Sequence, residues 1–465
     1  MKYLGAIILA CFVWLLPAQT KNQAIDRFLH AKGFENASIG LCVLDSSGKI
    51  KHEYNRKIAL TPASILKIIT TATALEVLGE NYCFETTLSA LGDTLLITGS
   101  GDPTLGSEFL NDSNTAFLND WLFAIQQKMP QVSAIVTDES CFGDEGLSER
   151  WIRQDIGNYY APACYGISLF DNTYRLYLDT RQTDAGGHPL ILNTQPEIPQ
   201  LCFTNRLKIN QSGQDNGYIF GEPMRYERLL MGDIPAGKEC FTLKGSIPDP
   251  GRLLGEILLD SLKQRNYSVH SAETILQKRI TSSLDTIFYT HRSPELKKII
   301  RVINERSNNH YAEHLLRAVG KSSSTASEAL PAGIDIVKDY WKKRNLDTQS
   351  LFMFDGSGLS PSNAVSPGLM CRILHYMQAE SPYKETFIAS LPQAGKEGTV
   401  RNVLKNNRLP GKIVMKSGSI MGVQCFAGYY IRGKQTESFV VMVNRFTCSR
   451  RETVAAIEKL LRGIL

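Results

Sequence analysis

Apolar residues recur at Ile65, Ile68, Ile69, Ala72, Leu75 and Leu78, the three- and four-residue spacing of one helix face. Pro62 precedes this run with one backbone angle already set. Gly79 follows it and suits the left-handed position that ends a helix. The pattern therefore predicts a helix that begins at Ser64 and stops at Gly79. Upstream, residues 22–34 read as a helix, and 37–44 and 50–54 as two strands around a turn at 46–49. Residues 84–99 alternate about Gly92-Asp93, a hairpin signal. A turn-rich loop (99–105), a helix (120–127) and a short buried strand (133–136) come next. Residues 159–287 are strand-rich and broken by Gly and Pro, with one helix at 253–265. Helical spacing returns at 296–303, 308–319 and 334–343. A strand at 412–416 precedes a hairpin, 425–431 and 438–444, and an amphipathic helix at 453–461 closes the chain. Helices and strands at both ends thus enclose a β-rich middle. An α+β domain built from both chain ends around a large insertion is the economical reading.

Composition narrows the class. The chain has 465 residues, room for about three domains. Its net charge of +5 is small for that length, and no basic run is interleaved with aromatics, so no nucleic-acid partner is expected. Lys2, an apolar run over 3–17 and Ala18 read as a secretory leader, residues 1–18, too short for a comfortable membrane span. Export to the periplasm is expected. A lipoprotein cut before Cys11 is the weaker alternative, because the apolar run continues past it. The ten cysteines include no Cys-x-x-Cys pair, which argues against a zinc ribbon or a thioredoxin site.

Three short motifs carry candidate chemistry. Ser64 and Lys67 lie three apart on one helix face, so a buried amine with a lowered pKa can take the serine proton. Ser-x-x-Lys alone is weak: Ser46–Lys49 and Ser381–Lys384 also match, in a turn and beside Pro382. Ser307-Asn308-Asn309 sits between two helices, where Ser and Asn make good caps. In a catalytic site the Ser307 hydroxyl relays a proton to the leaving amine and the Asn309 amide holds the substrate carbonyl. Lys416-Ser417-Gly418 follows an apolar strand and offers a carboxylate-binding edge, with Gly418 admitting the substrate backbone. The Ser419 and Ser64 N–H groups are candidates for an oxyanion hole. His310 and His314 have helical spacing suitable for zinc, but no third ligand stands out, so solvent-facing histidines and no metal are expected.

In this order the three motifs match the set of serine β-lactamases and penicillin-binding proteins. More narrowly, the chain resembles the class C low-molecular-mass penicillin-binding proteins, the D-alanyl-D-alanine carboxypeptidase/endopeptidase family. The resemblance rests on GSGDPTL (99–105), GNYYAPACYG (157–166), SNNHYAEHLL (307–316), DGSGLSPSNAVSP (355–367), LPQAGKEGTV (391–400) and KSGSIMGVQCFAGY (416–429). It spans nearly the whole mature chain and departs in having Lys-Ser-Gly for Lys-Thr-Gly. It implies a transpeptidase domain of antiparallel sheet flanked by helices (19–87 plus 288–465). Two β-rich domains, 88–105 plus 190–287 and 106–189, are inserted between the first and second motifs. It also implies a serine-type D-Ala-D-Ala carboxypeptidase/endopeptidase without cofactor. Peptidoglycan stem peptides and β-lactam antibiotics are its expected partners, with no stable protein partner. Catalytic roles fall on Ser64, Lys67, Ser307, Asn309 and Lys416, and substrate contacts on Ser417, Gly418 and Ser419. Asp138 and Trp151 are candidates for holding the stem-peptide diamino acid, the carboxylate pairing with its amine and the ring packing its methylenes. The alternatives are a serine β-lactamase and a non-catalytic wall-binding protein on the same fold. Labelled penicillin is trapped by the peptidase, turned over by the lactamase and ignored by the binder.

Overall fold

The structure is a computed structural model that describes residues 23–110, 115–143, 146–275, 286–323, 328–405 and 409–465. The expected leader, 1–18, with Cys11, lies outside the described residues. No helix among the described residues is long and apolar enough to cross a membrane.

Both chain ends build one five-stranded antiparallel sheet. Its order is Lys412–Ile420, Val423–Arg432, Gln435–Asn444, Ser38–Leu44, Ile50–Tyr54. The period-two rule assigns its two faces. Leu44, Val414, Ala427, Val440 and Met442 pack toward the helices Lys67–Leu78, Leu296–Arg306, Asn309–Lys321 and Pro367–Ala379. Leu41, Val43, Met415, Phe426, Val441 and Val443 pack toward Gln23–Leu29 and Arg450–Ile464. Cover on both faces explains why Val440–Val443 is a continuous apolar run rather than an alternating one. The helix Lys67–Leu78 lies under the sheet and is buried all round from Lys67 to Leu75, ending at Gly79 with φ 82°.

The insertion has a core of its own. A five-stranded mixed sheet runs Ser271–Ile275, Ala134–Asp138, Thr94–Thr98, Glu85–Leu91, Thr286–Arg292. Ala134–Asp138 is parallel to both neighbours, and helices Ala116–Lys128 and Pro250–Lys263 join the same core. A three-stranded sheet, Phe241–Ser246, Thr173–Thr183, Pro189–Gln195, adjoins smaller sheets formed from residues 202–235. The boundaries expected at 105/106 and 189/190 cut across these sheets. Ala134–Asp138 pairs with Thr94–Thr98, and Pro189–Gln195 with Thr173–Thr183. Strand pairing joins segments distant in sequence, which composition does not reveal. Two helices, Pro367–Ala379 and Lys384–Ser390, occupy a stretch for which the periodicity predicts none.

Candidate active site

Ser64 stands in a 3-10 turn, Ala63–Leu66, and the α-helix starts only at Lys67. The expected helix start at Ser64 is thus corrected by one turn. Ala63 has φ 47°, a strained value for a residue with a Cβ, which breaks the helical path just before the serine. Ser64 and Lys67 still share a face, with Nζ 3.0 Å from Oγ. Lys67 is fully buried. Its other two protons go to Asn309 Oδ1 at 2.6 Å and to the Ser357 carbonyl at 2.6 Å. Burial pushes its pKa down to about 7, against the pull of the negative Asp355 and Glu313. An ammonium has three donors and all are used here. After one proton is lost, Asn309 and Ser357 still take the remaining two, and the lone pair faces Ser64 Oγ.

Ser307 has φ 60° and ends the Leu296–Arg306 helix in the left-handed conformation. Asn308 caps the next helix, accepting from Tyr311 N at 2.9 Å. The capping expected of this motif therefore falls on its middle residue, and the flanking side chains turn elsewhere. Asn309 reaches Lys67 with its oxygen and donates Nδ2–H to the Tyr160 carbonyl at 2.8 Å. Ser307 Oγ accepts from Lys416 Nζ at 2.8 Å, and the same amine donates to Ser417 O at 2.7 Å. Burial, then the positive Lys67, holds the Lys416 pKa well below the ordinary lysine value. Ser417 Oγ donates to Thr399 Oγ1 at 2.8 Å. A Cβ on Gly418 would come within 2.6 Å of Pro62 O, 2.8 Å of Ile65 N and 3.0 Å of Ser64 N. The glycine thus lets the Lys412–Ile420 strand touch the nucleophile turn, a different reason from the expected approach of substrate. Ser419, half-buried, follows it on the same strand. The structure brings Ser64, Lys67, Ser307, Asn309, Lys416, Ser417 and Gly418 together from three stretches distant in sequence.

Two expected residues do not fit their expected places. Asp138 is only 1% exposed, and its Oδ1 accepts from Ser140 N at 3.0 Å and Ser140 Oγ at 2.6 Å. It caps its own turn, because a short carboxylate finds the N–H two residues on more readily than a distant cleft. Trp151 is buried, and its Nε1–H donates to Asp355 Oδ2 at 2.9 Å, so its ring is a support rather than a cleft wall. His310 and His314, expected at the surface, are buried as well.

Residues that sequence reasoning missed fix the Ser357 carbonyl. Asp355 accepts from Gly358 N (2.7 Å), Ser360 N (2.6 Å), Asn363 Nδ2 (2.8 Å) and Trp151. Glu313 Oε1 accepts from Gly356 N at 2.9 Å and Ser357 N at 2.8 Å. The turn-rich Asp355-Gly356-Ser357-Gly358 string was the available signal for a built loop. Beside Ser307 and Asn309 opens a cavity of about 540 Å³ whose lining includes Phe109, Tyr159, Tyr160, Arg175, Lys244 and Arg306. Tyr160 also donates its hydroxyl to Asp155 Oδ1 at 3.2 Å.

Comparison with known proteins bears on this site. The profile of the D-Ala-D-Ala carboxypeptidase 3 (S13) family matches residues 21–463. The chain is 26% identical over 444 residues to a D-alanyl-D-alanine carboxypeptidase of Actinomadura sp., covering 91% of this chain and 80% of that protein. It is 22% identical over 431 residues to the D-alanyl-D-alanine carboxypeptidase DacB of Haemophilus influenzae, covering 90% and 88%. The crystal structure of penicillin binding protein 4 from Haemophilus influenzae shares the fold, with a TM-score of 0.78 at 19% identity over 94% of this chain and 98% of that one.

Proposed function

Because the chain belongs to the D-Ala-D-Ala carboxypeptidase 3 (S13) family, we propose that Ser64 is the nucleophile of a serine D-Ala-D-Ala carboxypeptidase and endopeptidase. Its substrates are peptidoglycan stem peptides, and penicillins acylate it. One observation carries the assignment: Lys67 Nζ holds Ser64 Oγ, Asn309 Oδ1 and Ser357 O at once, at 3.0, 2.6 and 2.6 Å. Neutral Lys67 takes the Ser64 proton as Oγ attacks the carbonyl of the D-Ala-D-Ala bond. The Ser64 and Ser419 N–H groups receive the developing oxyanion. Ser307 Oγ, held by Lys416, relays to the leaving D-Ala amine the proton that Lys67 took from Ser64, which leaves Lys67 neutral, and water then hydrolyses the acyl-enzyme. Lys416 and Ser417 bind the terminal carboxylate, and Asn309 orients the peptide carbonyl. A crosslinked peptide with a free D-centre carboxylate presents the same groups, which supports endopeptidase action.

The recognition of a cationic diamino-acid side chain moves from Asp138 to Asp155. Tyr160 links Asp155 to Asn309, so that carboxylate stands about one tyrosine length from the catalytic amide. The leader read over 1–18 supports a periplasmic site for this reaction. Mass spectrometry after incubation with penicillin tests the nucleophile: the parent gains one penicilloyl group on Ser64, and a folded Ser64→Ala gains none. A penicilloyl adduct on Ser64→Ala removes the assignment.

A further inference from the structure

We propose that Cys164, His310 and His314 form a zinc site that ties the inserted region to the helix bearing Asn309. His310 and His314 lie one turn apart on the Asn309–Lys321 helix, a spacing that puts both rings on one face. Cys164 comes from the insertion. One ligand atom from each of the three lies within 4.8 Å of the others, and all three residues are buried, at 4%, 0% and 0% exposure for His310, His314 and Cys164.

The hydrogen bonds leave the right atoms over. His314 Nδ1 lies 2.8 Å from the Gly101 carbonyl, which can only accept, so the proton is on Nδ1 and Nε2 carries a lone pair. His314 Nε2 has no partner. His310 Nε2 is 2.7 Å from Ser168 Oγ, and His310 Nδ1 has no partner. Two unpartnered ring nitrogens beside a buried thiol are costly in a dry interior unless something binds them. A histidine whose second nitrogen is fixed by a carbonyl or hydroxyl is the usual arrangement of a metal ligand. Neutral imidazole is the ligating form.

One thiolate and two imidazoles suit zinc, with a fourth position left over. Tetrahedral ligation places such atoms roughly 3.4–3.6 Å apart, so the trio closes by about 1 Å as the ion enters. The thiol proton leaves to solvent as the S–Zn bond forms. The nearby Arg317 is a like charge, but Glu313 pairs with it at 3.2 Å. The tie is relevant to the active site because Cys164 lies four residues past Tyr160, whose carbonyl holds the Asn309 amide.

The test uses the full chain, stripped with a chelator and then titrated with Co²⁺ and with Zn²⁺. We expect one Co²⁺ per chain, a thiolate-to-cobalt charge-transfer band and displacement of the cobalt by zinc. Cys164→Ser should lose the band and His314→Gln the stoichiometric binding, with melting curves reporting the fold of each. Cys202 and Cys240 are exposed and are the adventitious alternative. A band that survives Cys164→Ser, or a parent chain that takes up well below one equivalent, overturns the proposal even if a variant fails to fold.

Discussion

Acidification should switch off acylation of Ser64 by protonating the base rather than by unfolding the protein. Burial lowers the Lys67 amine from 10.5 to about 7. Each pKa unit corresponds to about 1.4 kcal/mol, so the site disfavours the charged amine by about 5 kcal/mol after the attraction of Asp355 and Glu313 is included. At a pH of about 8, roughly nine-tenths of the enzyme carries a neutral Lys67; at about 6, roughly a tenth does. The second-order rate constant for a fluorescent penicillin should rise about tenfold per pH unit below ~7 and level off above it. Lys67 in turn helps hold the Lys416 amine below the ordinary lysine value. The sign for stability is separate. Between about 7 and 10.5 the unfolded chain binds a proton at Lys67 that the folded chain does not. Stability therefore rises with pH across that window and this group's contribution is constant below it. Loss of rate below ~7 with an unchanged melting curve is the expected signature. Asp355→Asn removes the larger attractive charge and should move the inflection down by about one pH unit. A rate independent of pH between about 5 and 8, or an inflection near the ordinary lysine value, refutes a neutral Lys67 as base.

Lys416→Ala removes a buried amine that is disfavoured as a cation, so it should leave melting unchanged or higher. It should still lower kcat/KM on a D-Ala-D-Ala peptide by about 100-fold or more, because Ser307 Oγ and the carboxylate site lose their donor; an unchanged kcat/KM removes Lys416 from the site. Gly418→Ala drives a Cβ to 2.6 Å from Pro62 O, which should cost about 1–3 kcal/mol and several degrees of Tm, with acylation slowed as the nucleophile turn shifts. A variant that melts and acylates like the parent means the strand and turn have room between them. Asp155→Asn should slow a diaminopimelate-containing peptide and spare the same peptide with its side-chain amine acetylated, whereas Asp138→Asn should treat both alike. Equal effects of Asp155→Asn on both peptides make that residue structural.

What was legible in the sequence was local. Ser64 and Lys67 meet within one turn, so apolar spacing alone brought them together, and the 3-10 start at Ala63–Leu66 changed the path without parting them. The hairpin Val423–Arg432 and Gln435–Asn444 and the closing helix followed from alternation and periodicity. The helix Pro367–Ala379 had its own signals, a Ser366 cap and a proline at its start, but they sit at the end of a Gly-, Ser- and Pro-rich run that masks them. Asp138 failed for a sharper reason. A strand running into an acidic turn has the same pattern whether its carboxylate faces a cleft or takes the N–H of Ser140, and only burial separates the two. His310 and His314 failed likewise, since a four-residue spacing names a shared face without saying whether that face meets water. For His310, Trp151 and Asn309 the missing information was a partner distant in sequence: Ser168 for His310, Asp355 for Trp151, Tyr160 for Asn309. Each partner comes from, or is met by, the segment between Ser148 and Ser168, which crosses from the insertion onto the Asn309–Lys321 helix and the Asp355 loop. The insertion therefore does more than shape the outer cleft. Through Trp151 on Asp355 and Tyr160 under Asn309 it fixes two of the three acceptors of Lys67, so changes in this segment should alter the pH profile of acylation without touching a catalytic residue.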